Sequence, residues 1–126
     1  MGNFDIDLDF GQVYEQKIKD LFEGDGSIEV KTERDIWADT GNMAIEIRSR
    51  GKPSGISITE AKWWVHNFTV DGDIKFSMLF KVDKLRKAVK YMYLNELASM
   101  VKGGDDYTSD LILAPISTLI LLNKKF

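Results

Sequence analysis

The chain has 126 residues, of which 44% are hydrophobic and 29% charged, the balance of a soluble globular protein with one compact domain. It contains no cysteine, which excludes disulfides, thiol catalysis and zinc sites that need sulfur, and its single histidine excludes an HExxH site. The net charge of −3 disfavours a protein that holds bulk nucleic acid by counterion release. Polar chemistry must therefore come from carboxylates, lysines and hydroxyls.

The two ends of the chain carry no pattern typical of a membrane protein. The start, MGNFDIDLDF, has neither the basic nor the apolar region of a secretory signal, and the apolar run LILAPISTLILL is interrupted and too short to span a bilayer. We expect a soluble cytoplasmic protein (in the host cytoplasm if a phage encodes it) that has no membrane partner and folds as one domain over residues 1–126.

The first predicted element is a helix over about residues 11–22. Phe10, Tyr14 and Ile18 recur at the spacing of one apolar helix face, and Glu15 lies at the edge of that face. The glycines of the following EGDG segment end the helix.

Two strands are predicted next, over about residues 27–33 and 43–49, with DTGN as the turn of one hairpin. Strand alternation places an acid and a base of each strand on a common face: Glu29 with Lys31, and Glu46 with Arg48. If the apolar faces of the hairpin coincide, all four charges project from one side.

The remainder of the chain predicts a bend, a second hairpin, a helix and a last strand. GKPSG is rich in turn residues, and DGD at 71–73 separates two strand-like runs. An amphipathic helix is predicted over about 82–99, a loop over 102–110 and a buried strand over 111–117. This order predicts an α+β domain with a mixed or antiparallel sheet flanked by helices.

The charged face of the first hairpin has two interpretations. Opposite charges across paired strands contribute about 0.2–1 kcal/mol and are common on solvated sheets. Alternatively, carboxylates that hold one or two Mg²⁺ ions, with a lysine beside the attacking water, are what phosphodiester hydrolysis needs. The local pattern alone favours the salt bridges, because most sequences contain a Glu-x-Lys.

Several ordered motifs favour the second interpretation. An acid on the first helix, then IEVKTE, then TGNMAIEIRSRGKPSGISITEAKWW, VDKLRKAV and GGDDYTSDLILAPI resemble small phage and bacterial endonucleases of the PD-(D/E)XK superfamily. The resemblance covers nearly the whole chain, from about Phe10 to Pro115. It implies a restriction-endonuclease-like core, Mg²⁺ or Mn²⁺ as cofactor, DNA as substrate, and Glu15, Glu29 and Lys31 as matches to the catalytic helix acid and the (D/E)-x-K pair.

The chain departs from the superfamily pattern in its remaining acid. There is no Pro-Asp dipeptide, and the segment before Glu29 leaves no room for the strand that normally carries an aspartate. The missing metal ligand is then Asp25, in the loop, or Glu46, which we favour because it should share a face with Glu29. In a third arrangement Glu29 replaces the aspartate, and Glu46 with Arg48 forms a degenerate acid-x-base pair.

The bend RSRGKPSG is a candidate DNA-backbone clamp. Arg48, Arg50, Lys52 and Ser54 can contact phosphates, and the glycines allow close approach. A plain surface turn is the competing interpretation. The resemblance is also compatible with a homodimer, because many nucleases of this kind act as dimers, although no residue pattern in the chain specifies one. The alternative function is a non-catalytic DNA- or protein-binding domain of the same fold, in which the charged pairs are only salt bridges.

Overall fold

The computed structural model describes residues 2–24 and 27–126, with the backbone alone for residues 2–9. The helices are α1 (Gly2–Glu23), α2 (Ile36–Thr40), α3 (Val82–Leu94) and α4 (Ile116–Leu122), and single 3₁₀ turns cover Gly55–Ser57 and Asp105–Tyr107. The strands are β1 (Ile28–Arg34), β2 (Asn42–Ser49), β3 (Lys52–Pro53), β4 (Trp63–Val70), β5 (Asp73–Lys81), β6 (Ser99–Gly103) and β7 (Ser109–Pro115). The prediction of a mixed α+β architecture is confirmed.

The first sheet, sheet A, has the strand order β1-β4-β5. β1 runs parallel to β4, and β4 pairs antiparallel with β5 across the predicted turn at Asp71 and Gly72, so the second hairpin is confirmed. Asp71 and Gly72 both have positive φ, which the Asp-Gly pair tolerates well. The side of sheet A that carries Trp64, His66 and Phe68 faces the interior.

The second sheet, sheet B, has the strand order β3-β2-β7-β6. β2 pairs antiparallel with β7 along its whole length, and β6 pairs antiparallel with the other edge of β7. The register of β2 against β7 shifts between Glu46 and Arg48, where a bulge leaves Ile47 without a partner residue.

The core lies between the two sheets and α3. The apolar face of α3 contributes Leu85, Val89 and Met92 at helical spacing, and all three are buried. The buried apolar side chains that other elements contribute to the same core are Met43, Ile45, Ile56, Trp64, Phe68, Phe80, Ile112, Ala114 and Leu119. The core therefore joins both sheets into one body.

The predicted hairpin of the strands at 27–33 and 43–49 is wrong. β1 and β2 belong to different sheets, and α2 lies between them in the chain. Gly41, predicted within a hairpin turn, is instead the left-handed C-cap of α2, where its N–H donates to the Trp37 carbonyl. Sequence alternation identified both strands but not their partners, because pairing depends on β4 and β7, which come later in the chain.

Three other boundaries differ from the predictions. The helix predicted over 82–99 ends at Leu94, where Asn95 caps the Tyr91 carbonyl and Glu96 has a φ of 58°. The loop predicted from residue 102 contains the end of β6, which pairs with β7. The final strand is shifted by two residues toward the N-terminus.

α1 extends the predicted first helix toward the N-terminus. Its side chains from Phe10 to Glu23 are exposed except for Leu21, including the predicted apolar face of Phe10, Tyr14 and Ile18. Across the residues that the structure describes, no helix combines the length and apolar character needed to cross a bilayer.

Candidate functional site

The interior side of β1 carries charge. Glu29, Lys31 and Glu33 stand beside Trp64, His66 and Phe68 of β4 in the parallel register, so they share the face that points into the protein. Ile28 and Val30 point the other way, and Val30 is 55% exposed. Because β1 is an edge strand, its inward charges reach the gap between the sheets and remain partly solvated.

A cleft of about 220 Å³ opens in this gap, which we call the Lys31 cleft. Its lining residues come from β1, β2, β4 and β7 and are Lys31, Thr32, Glu33, Ala44, Glu46, Trp64, His66 and Leu111. The lining thus combines one ammonium group with two carboxylates, on strands from two different sheets.

Glu33 connects the two sides of the Lys31 cleft. Its Oε1 accepts a hydrogen bond from the backbone N–H of Ala44 on β2, at 2.5 Å, and lies 3.0 Å from Nε2 of His66 on β4. The Glu33 side chain is 17% exposed, so the carboxylate is mostly desolvated but paired. These two contacts hold the carboxylate between the sheets.

Lys31 stands at the exposed end of the cleft. Its Nζ lies 3.6 Å from Oε1 of Glu29, and 5.8 Å from the centre of the Trp64 ring. Both members of the Glu29–Lys31 pair are more than a third exposed, so the pair contributes little to stability. The ammonium is therefore free to act on a bound molecule at a small energetic cost.

Glu46 enters the cleft from β2, and its backbone is fixed by the GKPSG bend. The N–H of Ser54 donates to the Ile47 carbonyl at 3.1 Å, and Gly55 approaches so closely that a Cβ there would lie 2.2 Å from the Glu46 carbonyl oxygen. Gly55 also has a φ of 55°. The bend thus has a structural role, which is to seat against β2 at the residue that faces the cleft.

The structure brings together some predicted site residues and separates others. Lys31 and Glu46 line one cleft, and Glu29 lies beside Lys31 on the same strand. Glu15 is exposed on α1 in an ion pair with Lys19, at 3.3 Å, and is not part of the cleft lining. Asp25, the alternative metal ligand, lies outside the described residues.

The expectation that Glu46 and Arg48 share a face is wrong. Glu46 stands opposite Leu111, but the bulge then pairs Arg48 with Asp110, which is on the Ile112 side of β7. Arg48 Nε lies 3.1 Å from Asp110 Oδ2, away from the cleft. The acid-x-base pairing of Glu46 with Arg48 therefore does not form.

Three other predicted DNA contacts lie around the short strand β3: Arg50 in the turn before it, Lys52 at its start and Ser54 directly after it. Arg50 and Lys52 are exposed there, and Arg50 has a φ of 51° with its N–H donating to the Thr108 carbonyl. Ser54 Oγ is buried, and no hydrogen-bond partner is found for it in the described part of the chain.

Glu33 and His66 are the site residues that the sequence interpretation missed. Glu33 lies two residues after Lys31, so strand alternation places it on the same face as Glu29 and Lys31, and this position could have been predicted from the sequence. His66 lies two residues after Trp64 on a strand, so its inward orientation was readable, but its hydrogen-bond partner on β1 was not.

A larger depression of about 530 Å³ lies between β4, β5 and α3. It is lined by Lys62, Lys81 and Arg86 together with Glu60 and Asp83, and Arg86 is already committed to the Ile56 and Thr59 carbonyls. This depression is larger than the Lys31 cleft but is the weaker candidate for a functional site. Its two lysines are matched by two carboxylates, and its arginine already donates to backbone carbonyls.

Lys102 and Arg48 both contact the carboxylate of Asp110, and these contacts predict that the stability of the protein depends on pH. The hydrogen bond from Lys102 is the main cause that lowers the Asp110 pKa, and the charge of Arg48 acts in the same direction against the effect of burial. A lowered native pKa adds stability that is present above the unfolded-state pKa and is lost as the pH falls through the native pKa.

We therefore expect Asp110→Asn to destabilise the protein at neutral pH, and the difference from the parent to vanish in strong acid. Urea unfolding across the acid range measures this, with Asp73→Asn, at an exposed carboxylate of β5, as the control. A pH-independent difference would contradict the assignment.

Comparisons of the chain with protein-family models, with the curated proteins and with the solved structures found no match. The residues of the Lys31 cleft are therefore the basis on which a function can be inferred.

Proposed function

We propose that the protein is a metal-dependent DNA endonuclease that hydrolyses phosphodiester bonds at the Lys31 cleft, on a restriction-endonuclease-like core. The observation that carries the proposal is the convergence of Lys31 with Glu33 and Glu46, from two sheets, in one solvent-accessible cleft. Carboxylates with a nearby ammonium provide the ligand and charge-stabilising groups that phosphodiester hydrolysis requires.

The donor set fits a hard divalent ion whose coordination is completed by water and substrate. In the described part of the chain, no three His, Asp or Glu side chains form a metal-ligand group. Mg²⁺, however, is commonly held through one or two carboxylates plus waters and substrate phosphates. Glu33 and Glu46 would hold the ion, and Glu33 retains acceptor capacity beyond the two hydrogen bonds at its Oε1.

A bound Mg²⁺ or Mn²⁺ ion would supply Lewis-acid polarisation of the phosphate and a more acidic water. The chain itself supplies Lys31, whose ammonium is the one lysine or arginine cation in the lining of the cleft. Its ammonium can donate hydrogen bonds to phosphate oxygens, on which negative charge accumulates as the attacking oxygen approaches. Glu29 orients this ammonium from the neighbouring position on the same face.

The position of the bend supports DNA as the substrate. Arg50, in the exposed turn at the end of β2, and Lys52, the exposed first residue of β3, both lie shortly after Glu46 in the chain. Exposed basic side chains on the connection that follows the cleft residue Glu46 in the chain can hold the phosphate backbone in register. In the same proposal the protein acts on phage or host DNA in replication, recombination or processing.

The test is nicking of a supercoiled plasmid with Mg²⁺, with Mn²⁺ and with EDTA. We expect metal-dependent nicking by the parent and a loss of about 10–100-fold or more in Glu46→Gln, since even groups that only support metal ligands contribute that much. Glu60→Gln, at an exposed carboxylate of the larger depression, is the matched control and should keep the parent rate. Nicking that persists in EDTA would overturn the proposal.

A non-catalytic DNA- or protein-binding domain is the second candidate, and one observation favours it. Glu33 already joins β1, β2 and β4 through the Ala44 N–H and His66, which is also what a purely structural carboxylate would do. Absence of nicking on plasmid, single-stranded and branched DNA, with DNA binding retained, would support this candidate.

A further inference from the structure

The hydrogen bonds beneath the Lys31 cleft form a continuous chain from β4 to β1. The indole Nε1 of Trp64 donates to Nδ1 of His66 at 3.1 Å, and Nε2 of His66 lies 3.0 Å from Oε1 of Glu33. Trp64 and His66 are 1% and 2% exposed, so water does not compete for these contacts.

The chain of donors defines the tautomer of His66. An indole N–H can only donate, so Nδ1 of His66 must be the acceptor and carries no proton. The imidazole proton is then on Nε2, which donates to the Glu33 carboxylate. Trp64 therefore determines which nitrogen faces Glu33.

The same oxygen of Glu33 is held from the opposite side by the Ala44 N–H. Two donors on Oε1 fix the rotation of the carboxylate and leave Oε2 for the cleft. A carboxylate fixed in this way needs no reorganisation when a cation binds.

We propose that His66 and Trp64 are positioning residues that hold Glu33 as a preorganised cation ligand in the Lys31 cleft. The proposal rests on the proposed function for its cation, and it assigns a role to the single histidine and to one tryptophan of the WW pair. Trp63, on the same strand, points to the opposite side of sheet A and takes no part.

The first test is the ¹⁵N spectrum of the imidazole, which is unambiguous because the chain has one histidine. We expect Nε2 to be protonated and Nδ1 to show the shift of an unprotonated nitrogen. This measurement uses the parent protein and does not depend on any variant folding. An Nδ1-protonated or doubly protonated ring at neutral pH would overturn the proposal.

The second test compares Trp64→Phe with Trp63→Phe, which removes the same N–H from the other side of the strand. We expect Trp64→Phe to mix the two His66 tautomers and to weaken Mn²⁺ binding by about tenfold, as measured by titration of Mn²⁺ alone. Trp63→Phe should leave both unchanged. His66→Gln, which can still donate to Glu33, should bind Mn²⁺ more tightly than His66→Leu.

The outcomes separate this proposal from the proposed function. A parent that binds Mn²⁺ with the expected tautomer but cleaves no DNA would support the positioning role and refute the nuclease. A parent that cleaves DNA while Trp64→Phe keeps the parent tautomer and Mn²⁺ affinity would refute the positioning role alone. A parent that binds no Mn²⁺ would refute the positioning role, and the nicking assay then decides the nuclease on its own.

Discussion

Lys31→Ala is expected to abolish metal-dependent plasmid nicking, with a loss of about 10²–10³-fold in rate and almost none in stability. The rate loss follows from removing the one ammonium group in the lining of the cleft, where a donor to the reacting group is worth about that factor. Stability should fall by less than about 1 kcal/mol, because the Glu29–Lys31 pair is exposed to solvent.

Lys75→Ala is the matched control, since Lys75 is an exposed lysine on β5. This substitution removes the same charge from another strand, and the variant protein should nick the plasmid at the parent rate. Nicking by Lys31→Ala at the rate of Lys75→Ala would mean that the reaction does not take place in the Lys31 cleft. A parallel loss of rate and of unfolding free energy would instead assign Lys31 a structural role.

The second large effect is expected at Gly55, where the GKPSG bend seats against β2. Gly55→Ala places a Cβ at 2.2 Å from the Glu46 carbonyl oxygen, in a backbone conformation with a φ of 55°. Overpacking and left-handed strain together should cost about 3–5 kcal/mol. A domain of this size should then lose roughly 10 °C or more in its melting temperature.

Gly51→Ala is the control for backbone strain alone. Gly51 has a φ of 78°, but a Cβ there meets no atom within 4 Å. It should cost about 1–2 kcal/mol, as expected for a left-handed alanine. Urea unfolding of the two variants measures the difference, and equal midpoints would contradict the close approach of Gly55 to Glu46. If β2 yields to the new Cβ, Glu46 moves, and nicking by the folded fraction should fall as well.

Most of the local structure can be predicted from the sequence. The helical spacing of Leu85, Val89 and Met92 and the turn residues Asp71 and Gly72 predicted α3 and the β4–β5 hairpin, and both are present. These features were predictable because a helix face and a two-residue turn depend on residues close together in the chain.

The site was only partly predictable. Lys31 and Glu46 were named from their motifs and line one cleft, although not through the hairpin that was expected to bring them together. Glu33 was passed over because its importance depends on Ala44 and His66, which are 11 and 33 residues away. The prediction that Arg48 shares a face with Glu46 is wrong because of the bulge at Ile47. No turn residue in the sequence marks the position of this bulge.

The sequence by itself determined the elements, the alternation of charge along β1 and the groups available for chemistry, because composition and short-range periodicity are properties of the chain. Only the tertiary structure decided which way the charged face of β1 points. Pairing with β4 turns Glu29, Lys31 and Glu33 inward, and pairing of β2 with β7 places Glu46 opposite them across the gap between the sheets. Strand partners are chosen by long-range packing around α3, so a cleft assembled from β1, β2, β4 and β7 exists only once that core has formed.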